Sequence, residues 1–207
     1  MNMLAMAAEF KDENTGDHIL RIGRYSAFLA GKYGLSEHNV HTLLNAAPMH
    51  DVGKIGIPDQ ILNKPARLTA EEFAVIKTHT RIGARILGGS RSIILQEAST
   101  IALRHHENWD GSGYPDGLQG EAIPLPGRIV KLVDVFDALT TDRPYKNAYP
   151  VETALGIIRK GIGTEFDPDL VELFLAHLPE ILAIKADMLH DEALVDQPYV
   201  PSERDSG

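Results

Sequence analysis

The feature that most constrains this chain is a set of histidines and aspartates planted inside, or at the ends of, apolar helical patterns. In His50-Asp51-Val52-Gly53-Lys54 an imidazole and a carboxylate are neighbours where an apolar run meets a glycine loop. In His105-His106-Glu107-Asn108-Trp109-Asp110-Gly111-Ser112-Gly113-Tyr114-Pro115 two histidines precede a loop of glycine, tyrosine and proline. Polar groups at such positions need partners to be tolerated in a core. Histidine and aspartate are also the common nitrogen and oxygen ligands of iron, manganese, nickel and zinc.

The surrounding pattern is helical throughout. Residues 1–11 read as a short amphipathic helix with no cap before Met1, hence as the end of an upstream regulatory segment and a candidate dimer contact. A helix from His18 to Tyr33 carries Ile19, Ile22, Tyr25 or Ser26, and Leu29 at helical spacing, and Gly34 suits its stop. Ser36 caps the next helix, which runs through Val40, Leu43, Leu44 and Ala47 towards His50. Gly53, Gly56 and Pro58 make 52–58 a loop. Thr69-Ala70-Glu71-Glu72 is a capping box opening one helix that reaches Leu87. Helices follow over 92–106, 128–139 and 151–160, and Asp167-Pro168 opens the last strong one with proline at its first position. The stretch 107–126 reads as a long loop, a length that inside a compact domain is usually functional. No stretch alternates like a strand, so the fold class is all-α. The expected organisation is the N-terminal helix, one domain over 12–190, and an acidic mobile tail over 191–207.

Composition then removes whole classes of chemistry. The chain has no cysteine, which excludes disulfides, thiolate metal sites and a cysteine nucleophile. A formal charge of −9 over 207 residues argues against a DNA or RNA polymer as partner. It leaves room for a small anionic ligand, because metal ions and a few local cations dominate the potential in a cleft. The sequence carries no membrane-length apolar run and no signal peptide with a basic start, so a cytoplasmic protein without a membrane partner is expected.

Each candidate ligand has a bland alternative. His79 lies in the stripe Val75, His79, Ile82, Ile86, where a lone histidine is more often a satisfied core residue. His50 and Asp51 could simply cap a helix end. Neighbours such as His105 and His106 diverge by about 100° on a helix, so both reach one ion only near its end. Asp134 lies inside Val130-Lys131-Leu132-Val133-Asp134-Val135-Phe136 and needs a cation or hydrogen bonds there. With His18 these make seven ligand residues, too many for one catalytic ion with an open position. They suit two ions sharing a carboxylate in the core of a helical bundle.

At this point the chain resembles the HD-GYP family of the HD-domain metal-dependent phosphohydrolases. The likeness covers roughly residues 12–185 and rests on the ordered motifs His50-Asp51-Val52-Gly53-Lys54, His79, His105-His106-Glu107, Gly113-Tyr114-Pro115-Asp116-Gly117-Leu118, Ile123-Pro124-Leu125, Arg128, Asp134, Asp137 and Arg143-Pro144-Tyr145-Lys146. It implies an HD-domain helical bundle with a metal centre in its core and hydrolysis of cyclic di-GMP to the linear dinucleotide or GMP. His18, His50, Asp51 and Asp134 are implied ligands of one ion; Asp51, as the bridge, with His79, His105 and His106 are those of the other. The resemblance implies a shared water or hydroxide attacking phosphorus in line, with Asp51 and Lys54 at the reacting centre. Lys54, Arg143, Lys146 and Tyr114 are the implied substrate contacts, and Asp137 orients a ligand. The ions would be iron, or alternatively manganese or nickel.

One position departs from part of that family. Three-metal members carry a glutamate where this chain has Asn14, in Asp12-Glu13-Asn14-Thr15-Gly16-Asp17-His18. A neutral amide is a poor third-cation ligand, so two ions are expected, with the linear dinucleotide as main product. Competing readings are a weakly catalytic cyclic dinucleotide sensor, a module that docks a protein through the Gly-Tyr-Pro loop, a two-iron oxygenase chemistry, and a phosphodiesterase for cyclic GMP-AMP.

Overall fold

The computed structural model describes residues 6, 11, 16–142 and 147–195. Its longer elements are α1 (Gly16–Tyr33), α2 (Glu37–Ala46), α3 (Asp59–Leu62), α4 (Ala70–Lys77), α5 (His79–Leu87), α6 (Ile93–Arg104), α7 (Leu125–Thr140), α8 (Val151–Lys160), α9 (Pro168–Ala176) and α10 (Leu178–Val195). Short 3₁₀ turns occupy Ala47–Met49, Val52–Gly56 and Gly120–Ala122. Among the described residues there is no strand beyond two isolated bridges, so the all-α expectation holds.

The helix starts follow from local chemistry. Ser36 Oγ accepts from Asn39 N at the start of α2. The Thr69 capping box closes both ways, Glu72 N to Thr69 Oγ1 at 3.2 Å and Thr69 N to Glu72 Oε2 at 2.8 Å. Asp167 caps α9, and Pro168 fills a first-turn position whose N–H would be orphaned anyway.

The core is built on α1 and α7, with α2, α6, α9 and α10 laid against them. From α1 it buries Ile19, Ile22, Tyr25, Leu29 and Ala30; from α7 it buries Ile129, Val130, Leu132, Val133 and Phe136. Phe136 meets Tyr25 and Phe174 edge-on, at centroid distances of 6.1 and 5.0 Å. Among the described residues no helix is long and apolar enough to cross a membrane.

Two expected helices are each broken. The helix expected from Thr69 to Leu87 divides at Thr78, whose Oγ1 donates to Val75 O at 2.6 Å and whose N–H bonds to the same carbonyl. Thr78 keeps near-helical dihedrals (φ −68°, ψ −16°), so the apolar spacing runs through the break and conceals it. The last strong helix divides at His177 into α9 and α10, and α10 runs to Val195, past the expected boundary at residue 190. Most of the N-terminal helix expected over 1–11, Asn14, Arg143, Lys146 and the end of the tail lie outside the described residues.

Candidate metal centre

Several helix ends and the middle of α7 converge on one place. His18 is in the first turn of α1; His50 and Asp51 lie between two 3₁₀ turns after α2; His79 opens α5; His105 and His106 follow α6; Asp134 is on α7. Their ligand atoms form two groups, each within 4.8 Å: Asp51, His79, His105 and His106 in one, and His18, His50 and Asp134 in the other.

Asp51 faces both groups. Its Oδ1 is 3.3 Å from His79 Nε2 and 3.5 Å from His105 Nε2, while its Oδ2 is 3.4 Å from His50 Nε2. Asp134 Oδ1 closes the other group, 3.5 Å from His18 Nε2 and 3.9 Å from His50 Nε2.

The imidazoles are pre-oriented. His50 Nδ1 lies 3.1 Å from Ala47 O, His79 Nδ1 lies 2.7 Å from Ile76 O and His105 Nδ1 lies 3.0 Å from Ile101 O. A carbonyl only accepts, so in each neutral ring Nδ1 carries the proton and Nε2 presents its lone pair inward. For His18 the acceptor is Asp137 Oδ2 at 2.8 Å, and Asp137 is itself gripped by Arg21 through Nε at 2.7 Å and Nη2 at 3.0 Å.

Asp51 Oδ1, His79 Nε2 and His105 Nε2 are buried and make no hydrogen bond among the described residues. A buried polar atom left unsatisfied costs about 1–3 kcal/mol, and three together would take much of a typical stability of roughly 5–15 kcal/mol. A divalent cation among them removes that cost, and the donor set of imidazole nitrogen and carboxylate oxygen fits one. Burial holds the His105 imidazole below its ordinary pKa, and His106 well below, which keeps both neutral as ligands must be. Burial alone would raise the Asp51 carboxyl, but Lys54 and His50 outweigh it and hold it well below the usual range.

Lys54 Nζ lies 2.7 Å from Asp51 Oδ2. Close backbone approach sets this floor: a Cβ on Gly53 would overlap the carbonyl oxygen of His79, so only glycine lets the 3₁₀ turn lie against α5.

The Gly-Tyr-Pro loop forms one wall. The Tyr114 ring stacks on His106, with centroids 4.7 Å apart and an interplanar angle of 22°. Buried Glu107 is its anchor, accepting from Asp116 N and Leu118 N at 3.0 Å each and from Arg104 Nη1 at 3.2 Å. Asp116 then accepts from both Arg81 and Arg104. The seven expected ligands and Lys54, Tyr114 and Asp137 are thus brought together. Arg21 and Glu107 carry roles the sequence reading did not assign. Arg21 left one signal, its place three residues after His18 on the same helical face.

The sequence profile of the HD domain matches residues 1–170. The chain belongs to the HD-domain family. Among its HD-domain relatives, a cyclic di-GMP phosphodiesterase of Thermotoga maritima is 49% identical over 181 residues, which are 87% of this chain and 49% of that protein. The 3'3'-cGAMP-specific phosphodiesterase 2 of Vibrio cholerae is 45% identical over 185 residues, 89% of this chain and 35% of that protein. The chain thus spans half or less of the length of these relatives. Among solved structures, a cyclic GMP-AMP specific phosphodiesterase of V. cholerae superposes with a TM-score of 0.64 at 22% identity, over 98% of this chain and 55% of that one. An HD-GYP-type protein of Bdellovibrio bacteriovorus gives 0.59 at 20% identity, over 81% of this chain and 54% of that one. At those identities the likeness is one of fold, and it agrees with the HD-GYP bundle expected from the motifs.

Proposed function

We propose that this chain is a metal-dependent phosphodiesterase that hydrolyses cyclic di-GMP to the linear dinucleotide, with onward cleavage to GMP as a slower step. The observation that carries this reading is the double-faced Asp51 carboxylate, one oxygen toward His79 and His105 and the other toward His50. A carboxylate so placed suits a bridge between two ions. His18, His50, Asp51 and Asp134 would hold one of them; Asp51, His79, His105 and His106 would hold the other. Imidazole-rich sites with carboxylate oxygen suit iron, manganese or nickel, and iron is the first choice. Bound ions would lower the pKa of a coordinated water and draw charge from the phosphoryl oxygens.

The chain's own residues do the rest. Lys54, whose Nζ lies 2.7 Å from Asp51 Oδ2, would meet a phosphate oxygen. Arg143 and Lys146 would add cations for the second phosphate, arginine's fork being matched to that geometry. Tyr114 walls the mouth, and Asp137 with Arg21 fixes the tautomer of His18. The relative from T. maritima named a cyclic di-GMP phosphodiesterase supports the substrate. The 45% identity to a 3'3'-cGAMP-specific phosphodiesterase favours the mixed cyclic dinucleotide as a second reading.

Loading the protein anaerobically with Fe(II) or Mn(II), adding cyclic di-GMP and resolving products by chromatography tests this. Linear dinucleotide that disappears in His50→Ala is expected. Absence of cleavage with two ions bound would overturn the reading. A metal content of three per chain would overturn the inference drawn from Asn14.

A further inference from the structure

Phe73 is a large aromatic side chain left 44% exposed, on α4, a helix that buries none of its residues. It stands beside the candidate metal centre. Its ring meets Tyr114 edge-on, with centroids 6.4 Å apart and planes at 80°, and Tyr114 in turn stacks on His106. Lys77, one turn further along α4, holds Nζ 4.9 Å from the Phe73 centroid and 5.2 Å from that of Tyr114. Two nearly perpendicular rings and an ammonium on a flexible stem therefore form an open corner that continues the wall of the metal site. An exposed phenylalanine is unremarkable alone. One contiguous, through Tyr114, with the candidate ligand His106 lies within reach of a group attached to a phosphate held at that centre.

We propose that Phe73 and Lys77 form the base platform of the site, taking a guanine of the substrate by stacking on Phe73 while Lys77 swings to its O6 and N7 edge. This rests on the phosphodiesterase reading and adds to it the recognition of the base. Stacking on an aromatic side chain accepts any base. The ammonium adds selectivity, because guanine offers two acceptors on that edge whereas adenine offers one acceptor beside an amino donor. The platform asks for one guanine, so cyclic di-GMP and cyclic GMP-AMP both satisfy it and cyclic di-AMP does not.

The test uses the full chain and an analogue of cyclic di-GMP in which both guanines are replaced by 6-methylisoxanthopterin, a fluorescent guanine analogue that keeps a carbonyl and a ring nitrogen on the O6 and N7 edge and whose emission is quenched on stacking. Wild type and Phe73→Trp should bind and quench it; Phe73→Leu should lose the quench and bind roughly fivefold to a hundredfold more weakly. With metal-loaded protein, the ratio of kcat/KM for cyclic di-GMP to that for methyl p-nitrophenyl phosphate, which has no base, should fall about tenfold or more in Phe73→Leu. Lys77→Met should narrow the preference for cyclic di-GMP over cyclic di-AMP. An unchanged quench in Phe73→Leu, or an unchanged ratio, would mean that Phe73 only props Tyr114 and would overturn the platform. If wild type cleaves methyl p-nitrophenyl phosphate but neither binds nor cleaves any cyclic dinucleotide, the cyclic dinucleotide reading itself fails, and the platform with it.

Discussion

The two candidate ligand groups meet at Asp51 but are supported differently. Around His79 and His105 the rings are aimed by main-chain carbonyls of Ile76 and Ile101. In the other group His50 also leans on a main-chain carbonyl, that of Ala47, but the His18 ring is aimed by a side chain, Asp137, which Arg21 holds in turn. The first arrangement is written into helix geometry and no substitution of an orienting residue can remove it. The second is a chain of charges that one substitution can cut. The two groups should therefore differ in how easily the affinity of one is tuned without the other.

Removing the shared residue should have the largest effect. Asp51→Ala should reduce hydrolysis to background and lower metal content at both groups, read by elemental analysis beside a turnover assay. Loss of one ion with the other retained at full affinity would show that the groups are independent. Next, Gly53→Ala forces a methyl onto the His79 carbonyl, so it should disturb the carbonyl-supported group by moving its backbone. A loss of about 3 kcal/mol in denaturant unfolding is expected, at the upper end for overpacking. Retention of wild-type stability would mean that the turn and α5 separate at little cost.

Asp137→Asn addresses the other support. It should weaken binding at the His18 group about tenfold to a hundredfold and leave the His79 group near its wild-type affinity. Calorimetric metal titration resolves the two steps, and equal weakening of both would erase the distinction. The smallest effect is in pH. Burial depresses the pKa of His105 and His106 in the folded chain, so below about pH 6.5 the unfolded chain takes up protons that the folded chain refuses. The metal-free protein should lose stability as pH falls through that range, and His106→Asn should flatten the dependence.

The same contrast explains what the sequence discloses. The candidate ligands are legible because a histidine or aspartate within an apolar pattern is conspicuous, and the all-α class because every apolar spacing is helical. Their division into two groups follows from the convergence of helix ends, which no spacing along the chain encodes. The break at Thr78 is hidden because one residue with near-helical dihedrals keeps the apolar stripe in phase on both sides. Glu107 was visible only as part of a motif, since its role depends on main-chain N–H groups nine and eleven residues ahead. The base corner was equally hidden: Phe73 and Tyr114 are forty-one positions apart and meet only through the fold.

The anchoring of the Gly-Tyr-Pro loop also bears on how fast a ligand can be captured. Glu107 fastens the loop to the end of α6, and Asp116 ties it through Arg81 and Arg104 to α5 and α6, the helices that position three of the histidines. The conformational entropy of this wall is already spent when the chain folds, so a ligand meets a formed opening and need not order it. Capture should then approach a single bimolecular step whose rate rises linearly with ligand concentration, without the plateau that a slow closing motion imposes.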